Sequence, residues 1–390
     1  MKTKKWELSD ILLIVGVTIL SILIRFEVKH FVSPDWTAYW GVWFEGLYEK
    51  GFGFLGTSEY DYAPPFVFMM YLVSLFPVNP LTGFKVMVSI IDFASAIVAF
   101  CLVNELTHSR MKSVLAYAFF MICPVYLVNS TLWAQCDMLP MFWVMLCIYY
   151  LVKERPNLAM FFYGVAIAFK LQPLWIAPML LLLWVNKKIE LKHFLWIPVC
   201  YLVGILPAVF AGRPFMDCVG IYFDQTTLEL YTLGLKYPNV FYMIGTGNFL
   251  LEYHEAAMWL ALGIFMIVLY YIGRKKLVIT PKFMLLLGGF VGILAPFFLP
   301  HMHERYSFFA EVLLLFYAFM EPKKLYIPLL QMLTSYIGYA TFLSGNWELP
   351  LRYMSIINLL LLINVGYLVY QYIEDPKNQR MEAHVEVKEC

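Results

Sequence analysis

Ser33 to Pro65 reads SPDWTAYWGVWFEGLYEKGFGFLGTSEYDYAPP, and it follows the first strongly apolar segment of the chain. It holds Asp35, Glu45, Glu49, Glu59 and Asp61 against a single Lys50, with aromatic residues at Trp36, Tyr39, Trp40, Trp43 and Tyr48. Positions 36, 39, 40, 43 and 47 recur at helical spacing and form one apolar face. Such a helix is expected to lie in a membrane interface, where Trp and Tyr rings sit in lipid and their polar tips in water. Asp35 then stands at the mouth of the membrane, just past the end of a span. Ser33-Pro34-Asp35 also has the form of a helix start, with Ser as cap, Pro at the first helical position and Asp in the first turn. That local role is worth about 0.3–1 kcal/mol against the helix dipole.

The rest of the chain sets the frame for this stretch. Of 390 residues, 62% are hydrophobic and 14% charged, where a soluble domain carries about 25% charged residues. The expected fold class is therefore an all-α, polytopic integral membrane protein. Net charge is +1, which gives no basis for nucleic-acid binding. Cys101, Cys123, Cys147 and Cys200 fall in apolar segments, which argues against a disulfide framework. A bond between Cys136 and Cys218, both assigned to the outside, is not favoured.

Lysines at positions 2, 4 and 5 precede the apolar run Ile11 to Ile24, so the positive-inside rule places the N-terminus in the cytoplasm and Asp35 outside. Pro65 to Phe76 has 12 residues, too few to cross about 30 Å of hydrocarbon, and is read as re-entrant or interfacial. Leu158 to Val185 is interrupted at Lys170-Leu-Gln-Pro173 and flanked on both sides by basic segments. It must enter and return, and short broken arms of this kind line a cavity. Continued along the chain, the alternation gives about twelve spans with both termini inside. Residues 1–373 form one transmembrane domain, with a first external loop at 31–64 and a long external loop at 212–255. Residues 374–390 form a cytoplasmic tail.

Polar chemistry collects on the external side. Lys170 at membrane depth is costly, roughly 2.5–3.5 kcal/mol on insertion scales, and is read either as snorkelling or as a cation aimed at an anion such as phosphate. Asp137, in Trp-Ala-Gln-Cys-Asp, is either a helix-start residue or a carboxylate beside Asp35. On a helix, His301 and Arg305 of His-Met-His-Glu-Arg would share a face. The run lacks HExxH spacing and a third ligand, so metal is not favoured; an Arg fork for phosphate is preferred. Gly288-Gly-Phe-Val-Gly292 has the GxxxG spacing of close helix packing.

These residues resemble the GT-C superfamily of integral-membrane glycosyltransferases. The acidic first external loop, the aromatic amphipathic helix and Tyr62-Ala-Pro-Pro65 carry the likeness. Gln135-x-Asp137, Lys170-Leu-Gln-Pro173 and His301-x-His303-Glu304-Arg305 are similar to bacterial mannosyltransferase-like proteins related to the GPI mannosyltransferases. The motifs are short, and their order along nearly the whole chain is what makes the likeness. The resemblance implies a polyprenyl-phosphate sugar donor, transfer with inversion to a glycan, lipid or protein hydroxyl on the non-cytoplasmic face, and Asp35 as catalytic base. It suits an enzyme of cell-envelope polysaccharide synthesis in a bacterial plasma membrane. Arg305, Lys170 and His303 are then expected at the donor phosphate, with Asp61, Tyr62, Gln135, Asp137, Gln172, His301 and Glu304 at sugar or acceptor or in support. No cofactor is called for. Many relatives carry a second acidic residue near the first, and Asp35-Trp-Thr has none at spacing two. A transporter or flippase of lipid-linked sugars is the alternative, although it would show inverted repeats, and none is detectable here. A membrane acyltransferase would also place a His in an apolar bundle, but would not require the acidic loop.

Overall fold

The computed structural model of the protein describes residues 6–225, 232–245, 251–345 and 351–378. Apolar runs long enough to close their own backbone hydrogen bonds become helices, as a lipid environment demands. In chain order they are α1 (Leu8–Val28), α2 (Gly41–Lys50), α3 (Pro64–Ser74), α4 (Pro80–Thr107), α5 (Arg110–Ile122) and α6 (Pro124–Leu127). There follow α7 (Met138–Val152), α8 (Pro156–Phe169), α9 (Ala177–Val185), α10 (Trp196–Phe210), α11 (Phe215–Gln225) and α12 (Val240–Met243). The last five are α13 (His254–Gly273), α14 (Pro281–Phe298), α15 (Phe308–Met320), α16 (Tyr326–Ser344) and α17 (Leu351–Glu374). Two dipeptide strands, β1 (Gly234–Leu235) and β2 (Met302–His303), pair in parallel.

Seven helical segments among the described residues are long and apolar enough to cross a membrane: 8–28, 80–107, 110–132, 191–210, 254–273, 281–298 and 351–374. The chain is an all-α, multi-pass membrane protein. The remaining apolar helices, α3, α7, α8, α15 and the arm Gln172–Val185, are shorter than a straight crossing requires.

α14 and α15 form the centre. Every residue from Phe308 to Ala318 is buried. A Cβ added at Gly289 would meet Leu314 at 2.4 Å, and one at Gly292 would meet the Ala310 backbone at 3.2 Å. The GxxxG spacing thus serves close packing of these two helices. At the edge, α1 turns Val17, Ser21 and Arg25 inward at four-residue spacing. Arg25 bonds Asp92 at 2.7 Å and Thr131 at 2.6 Å, an ion pair within the bundle that the sequence reading did not single out.

Three expectations change. The aromatic helix of the first loop does not give its apolar face to lipid. Trp40, Trp43, Phe44 and Leu47 are buried against Phe54, Tyr60, Phe66 and Phe84 in a second core. Periodicity identified most of the face: the loop's own Phe54 and Tyr60 help cover Trp40, Trp43 and Leu47, while Trp36 is half-buried and Tyr39 stays exposed. Residues 212–255 are not one long loop: α11, β1 and α12 occupy part of the span, while 226–231 and 246–250 lie outside the described residues. His301 to Arg305 is not helical. His301 takes a left-handed φ of 60° after Pro300, and Met302–His303 pairs as β2. His301 and Arg305 therefore do not share a helical face. Of the tail at 374–390, residues 379–390 lie outside the described residues.

Candidate functional site

The first loop delivers Asp35 by a short helical entry. Ser33 Oγ accepts from Trp36 N at 3.2 Å, Pro34 sets the first turn, and a π-helical turn runs from Trp36 to Trp40. A second π-helical turn, Val128–Leu132, precedes the facing segment. Single π turns are rare and frequently mark functional sites. Ala134 then takes a left-handed φ of 65°, a conformation costing a non-glycine residue on the order of 1–3 kcal/mol. This bend carries the chain from Trp133 to Gln135 and Asp137.

These segments meet at Asp35, which is buried. Trp133 Nε1–H donates to Asp35 Oδ2 at 3.0 Å, and Gln135 Nε2–H donates to the same oxygen. No described residue bonds Oδ1. Asp137 lies next to this pair in sequence but does not cap α7. Its Oδ1 accepts from Lys170 Nζ at 2.5 Å and its Oδ2 from Asn129 Nδ2 at 2.8 Å, with Arg305 Nε 3.7 Å from Oδ2. Lys170 reaches in because the helix breaks where the sequence suggested: α8 stops at Phe169, Lys170 is extended, and a 3-10 turn resumes at Gln172. Lys170 is buried and does not snorkel; its Nζ is 5.8 Å from the Tyr62 ring centre.

Arg305 enters from the other side. Its Nη1 donates to Glu304 Oε1 at 2.6 Å and its guanidinium lies 5.3 Å from the Trp133 ring centre. Glu304 is fully buried and its carboxyl is raised above the usual range, chiefly by burial, against the opposing pull of Arg305 and His303. Burial also pushes Asp137 up, but Lys170 and Arg305 outweigh it and hold that carboxyl below its usual range. Burial pulls Arg305 down, and Glu304, Asp137 and Asp35 more than restore it.

Asp35, Gln135, Asp137, Lys170, Glu304 and Arg305 thus form one cluster, with Tyr62 and His303 at its edges. Three carboxyl groups face the Lys170 amine and the Arg305 guanidinium. Several buried polar atoms have no hydrogen-bond partner: Gln135 Oε1, Glu304 Oε2, Arg305 Nε and Asn129 Oδ1. Buried polar atoms are nearly always paired, so each such orphan calls for an explanation. The other expected residues fall elsewhere. His301 Nε2 is hydrogen bonded to His254 Nδ1 at 2.7 Å, at the start of α13. Asp61 accepts from Gln225 through its backbone carbonyl at 2.6 Å. Gln172 is buried with Oε1 unpartnered. Among the described residues, no three His, Cys, Asp or Glu side chains converge to hold a metal ion. Cys136 and Cys218 are both buried free thiols.

Sequence reasoning passed over Trp133 and Asn129, although Asn129-Ser-Thr131 is a polar run in an apolar chain. It also passed over Glu311, buried inside α15, where Ser335 and Ser307 donate to its Oε1. A carboxylate within an apolar helix was a signal available from the start.

The fold defines a polytopic α-helical membrane protein with a buried, charge-dense site at one end. No family model matches the chain, and no curated protein matches it.

Proposed function

We propose that the protein is a membrane glycosyltransferase that moves a monosaccharide from a polyprenyl-phosphate donor to a hydroxyl acceptor, with inversion, and that Asp35 is the general base. The observation that carries this reading is the clamp on Asp35. Trp133 and Gln135 fix Oδ2, while Oδ1 has no bond from any described residue. A carboxylate held by one oxygen and free at the other suits proton abstraction from a positioned hydroxyl.

In the step itself, the acceptor oxygen attacks the anomeric carbon and its proton passes to Asp35 Oδ1. The bond from that carbon to the phosphate oxygen breaks, and its electron pair leaves with the lipid phosphate. Phosphate is a good enough leaving group to need no strong acid, but its developing charge needs donors. Arg305 Nε–H is the first candidate, since it is buried, unbonded and 3.7 Å from Asp137. Lys170 is held tightly by Asp137 and is second. The acceptor is a glycan, lipid or protein hydroxyl, and envelope polysaccharide synthesis in a bacterial plasma membrane is the setting we favour.

The same reading has about twelve crossings with both termini in the cytoplasm, since Lys- and Arg-rich loops alternate with the segments that carry the site. A cysteine placed at Glu59 should then be labelled from outside. The direct test of activity is incubation of the purified protein with a radiolabelled polyprenyl-phosphate sugar and a panel of hydroxyl acceptors. Acceptor-dependent release of polyprenyl phosphate is expected. Movement of intact lipid-linked sugar across a vesicle membrane, with no cleavage, would replace the transferase by a flippase.

A further inference from the structure

Arg213 follows α10 and precedes α11, in the short turn Ala211 to Pro214. Its residue is 8% exposed. The guanidinium lies 4.3 Å from the Tyr60 ring centre. Its Nε and Nη1 are buried and have no hydrogen-bond partner. The other deeply buried cations among the described residues are all answered: Arg25 by Asp92, Lys170 by Asp137, and Lys85 by the carbonyls of Val28 and Phe31. No described carboxylate pairs with Arg213, and no hydrogen bond connects it to the Asp35 cluster.

A guanidinium buried without a counter-charge is unfavourable, and such groups are retained where something pairs with them. The surroundings hold this one in place. A Cβ at Gly56 would stand 2.1 Å from the Ala211 carbonyl oxygen, so the first loop lies directly on the backbone ahead of Arg213. Tyr60 and Tyr201 spend their hydroxyl protons on the carbonyls of Leu55 and Cys218, which leaves the Nε and Nη1 hydrogens of Arg213 as the unspent donors here.

Position and surroundings indicate the chemistry of the occupant. The candidate span 191–210 ends at Phe210, three residues before Arg213, and the end of a crossing segment is where hydrocarbon gives way to headgroups. Phe210, Phe215 and Met216 are exposed on either side of it. A planar cation with free N–H groups matches a phosphate, and the flanking apolar side chains match an acyl or isoprenyl chain. We propose that Arg213 binds the phosphate headgroup of a lipid, with the chain lying against Phe210, Phe215 and Met216. This site does not depend on the activity assigned to Asp35.

The test is a titration of the full-length protein, in a non-ionic maltoside micelle, with dodecyl phosphate and separately with inorganic phosphate, read by native mass spectrometry. Dodecyl phosphate should bind at least tenfold more tightly than inorganic phosphate. Arg213→Gln should weaken dodecyl phosphate binding at least tenfold, Arg213→Lys less, and Arg305→Gln should leave the Arg213-dependent binding in place. Equal affinity for the two probes would make this a free-phosphate site and overturn the lipid assignment. Loss of binding in Arg305→Gln but not in Arg213→Gln would move the phosphate to the Asp35 cluster. Thermal melting without added phosphate guards against misfolding. Arg213→Gln should melt no lower than wild type, because it removes an unpaired charge. A large fall in Tm restored by Arg213→Lys would make Arg213 a brace on Tyr60 and overturn the proposal.

Discussion

The two ends of the bundle use the same residue types in opposite ways. α7 begins just after Asp137 and ends beside Lys153; α15 begins after Arg305 and ends beside Glu321. At the far end, Lys282 pairs with Glu321 with both side chains 40% exposed, and Glu374 takes Arg274 and Lys275 in a half-exposed group. At the near end, Lys170 and Asp137 are 9% and 4% exposed, and buried polar atoms beside them lack partners. Exposed pairs are worth about 0–1 kcal/mol and screen away with salt. Buried pairs cost several kcal/mol of desolvation per ion, often more than they return. A chain selected for stability alone would fill the near end with apolar side chains. Charges kept there are what the proposed site requires.

Lys170→Ala should give the largest effect. It leaves Asp137 buried with Asn129 and with Arg305 at 3.7 Å, and chemical denaturation in detergent should read a loss of about 3 kcal/mol or more. The double variant Lys170→Met with Asp137→Leu sharpens the contrast: stability should return while donor turnover stays lost. A double variant as unstable as the single one would mean that the pair itself braces the fold.

The next effect is a slope with pH. Burial raises the folded Glu304 carboxyl above its ordinary value of 4.5, so the native state holds that proton more tightly than the unfolded chain. Its contribution to stability therefore falls as pH rises from 4.5 through the folded value, by at most about 1.4 kcal/mol per pH unit. Asp137 has the opposite sign: lowered below its ordinary 3.8, it contributes above that value and loses the contribution as pH falls through its folded value. Glu304→Gln should flatten the Tm profile above pH 4.5 and leave the acid limb due to Asp137. An unchanged profile would show that Glu304 is ordinary in the native state.

Lys282→Ala, at the far end, should change stability by less than about 1 kcal/mol, and less still at high salt. A loss comparable to that of Lys170→Ala would erase the distinction between the two ends.

Much of this contrast is legible in the sequence. Hydropathy placed α7 from Met138 to Val152, and the break at Lys170 followed from a charge and Pro173 inside an apolar run. The Asp35 start was written in Ser33-Pro34. What local pattern does not carry is which distant segment answers a residue. Asp35 meets Trp133 from 98 positions away, and Lys170 meets Asp137 from 33. Pattern gave the first-loop helix an apolar face without saying that protein, rather than lipid, would cover it. Nor did it foresee the two π-helical turns or the left-handed His301, because these follow from packing around the site and not from a periodic repeat.

The central claim is that Asp35 is held for proton transfer. Asn at this position keeps the size and remains a good helix-start residue, but it is not a base. Turnover of a polyprenyl-phosphate sugar by Asp35→Asn should fall by about 10²–10⁴-fold, the usual contribution of a general base, with donor affinity and Tm close to wild type. An Asp35→Asn protein that folds, binds donor and transfers sugar at near wild-type rate would contradict the account and leave Asp35 as the start of a helix.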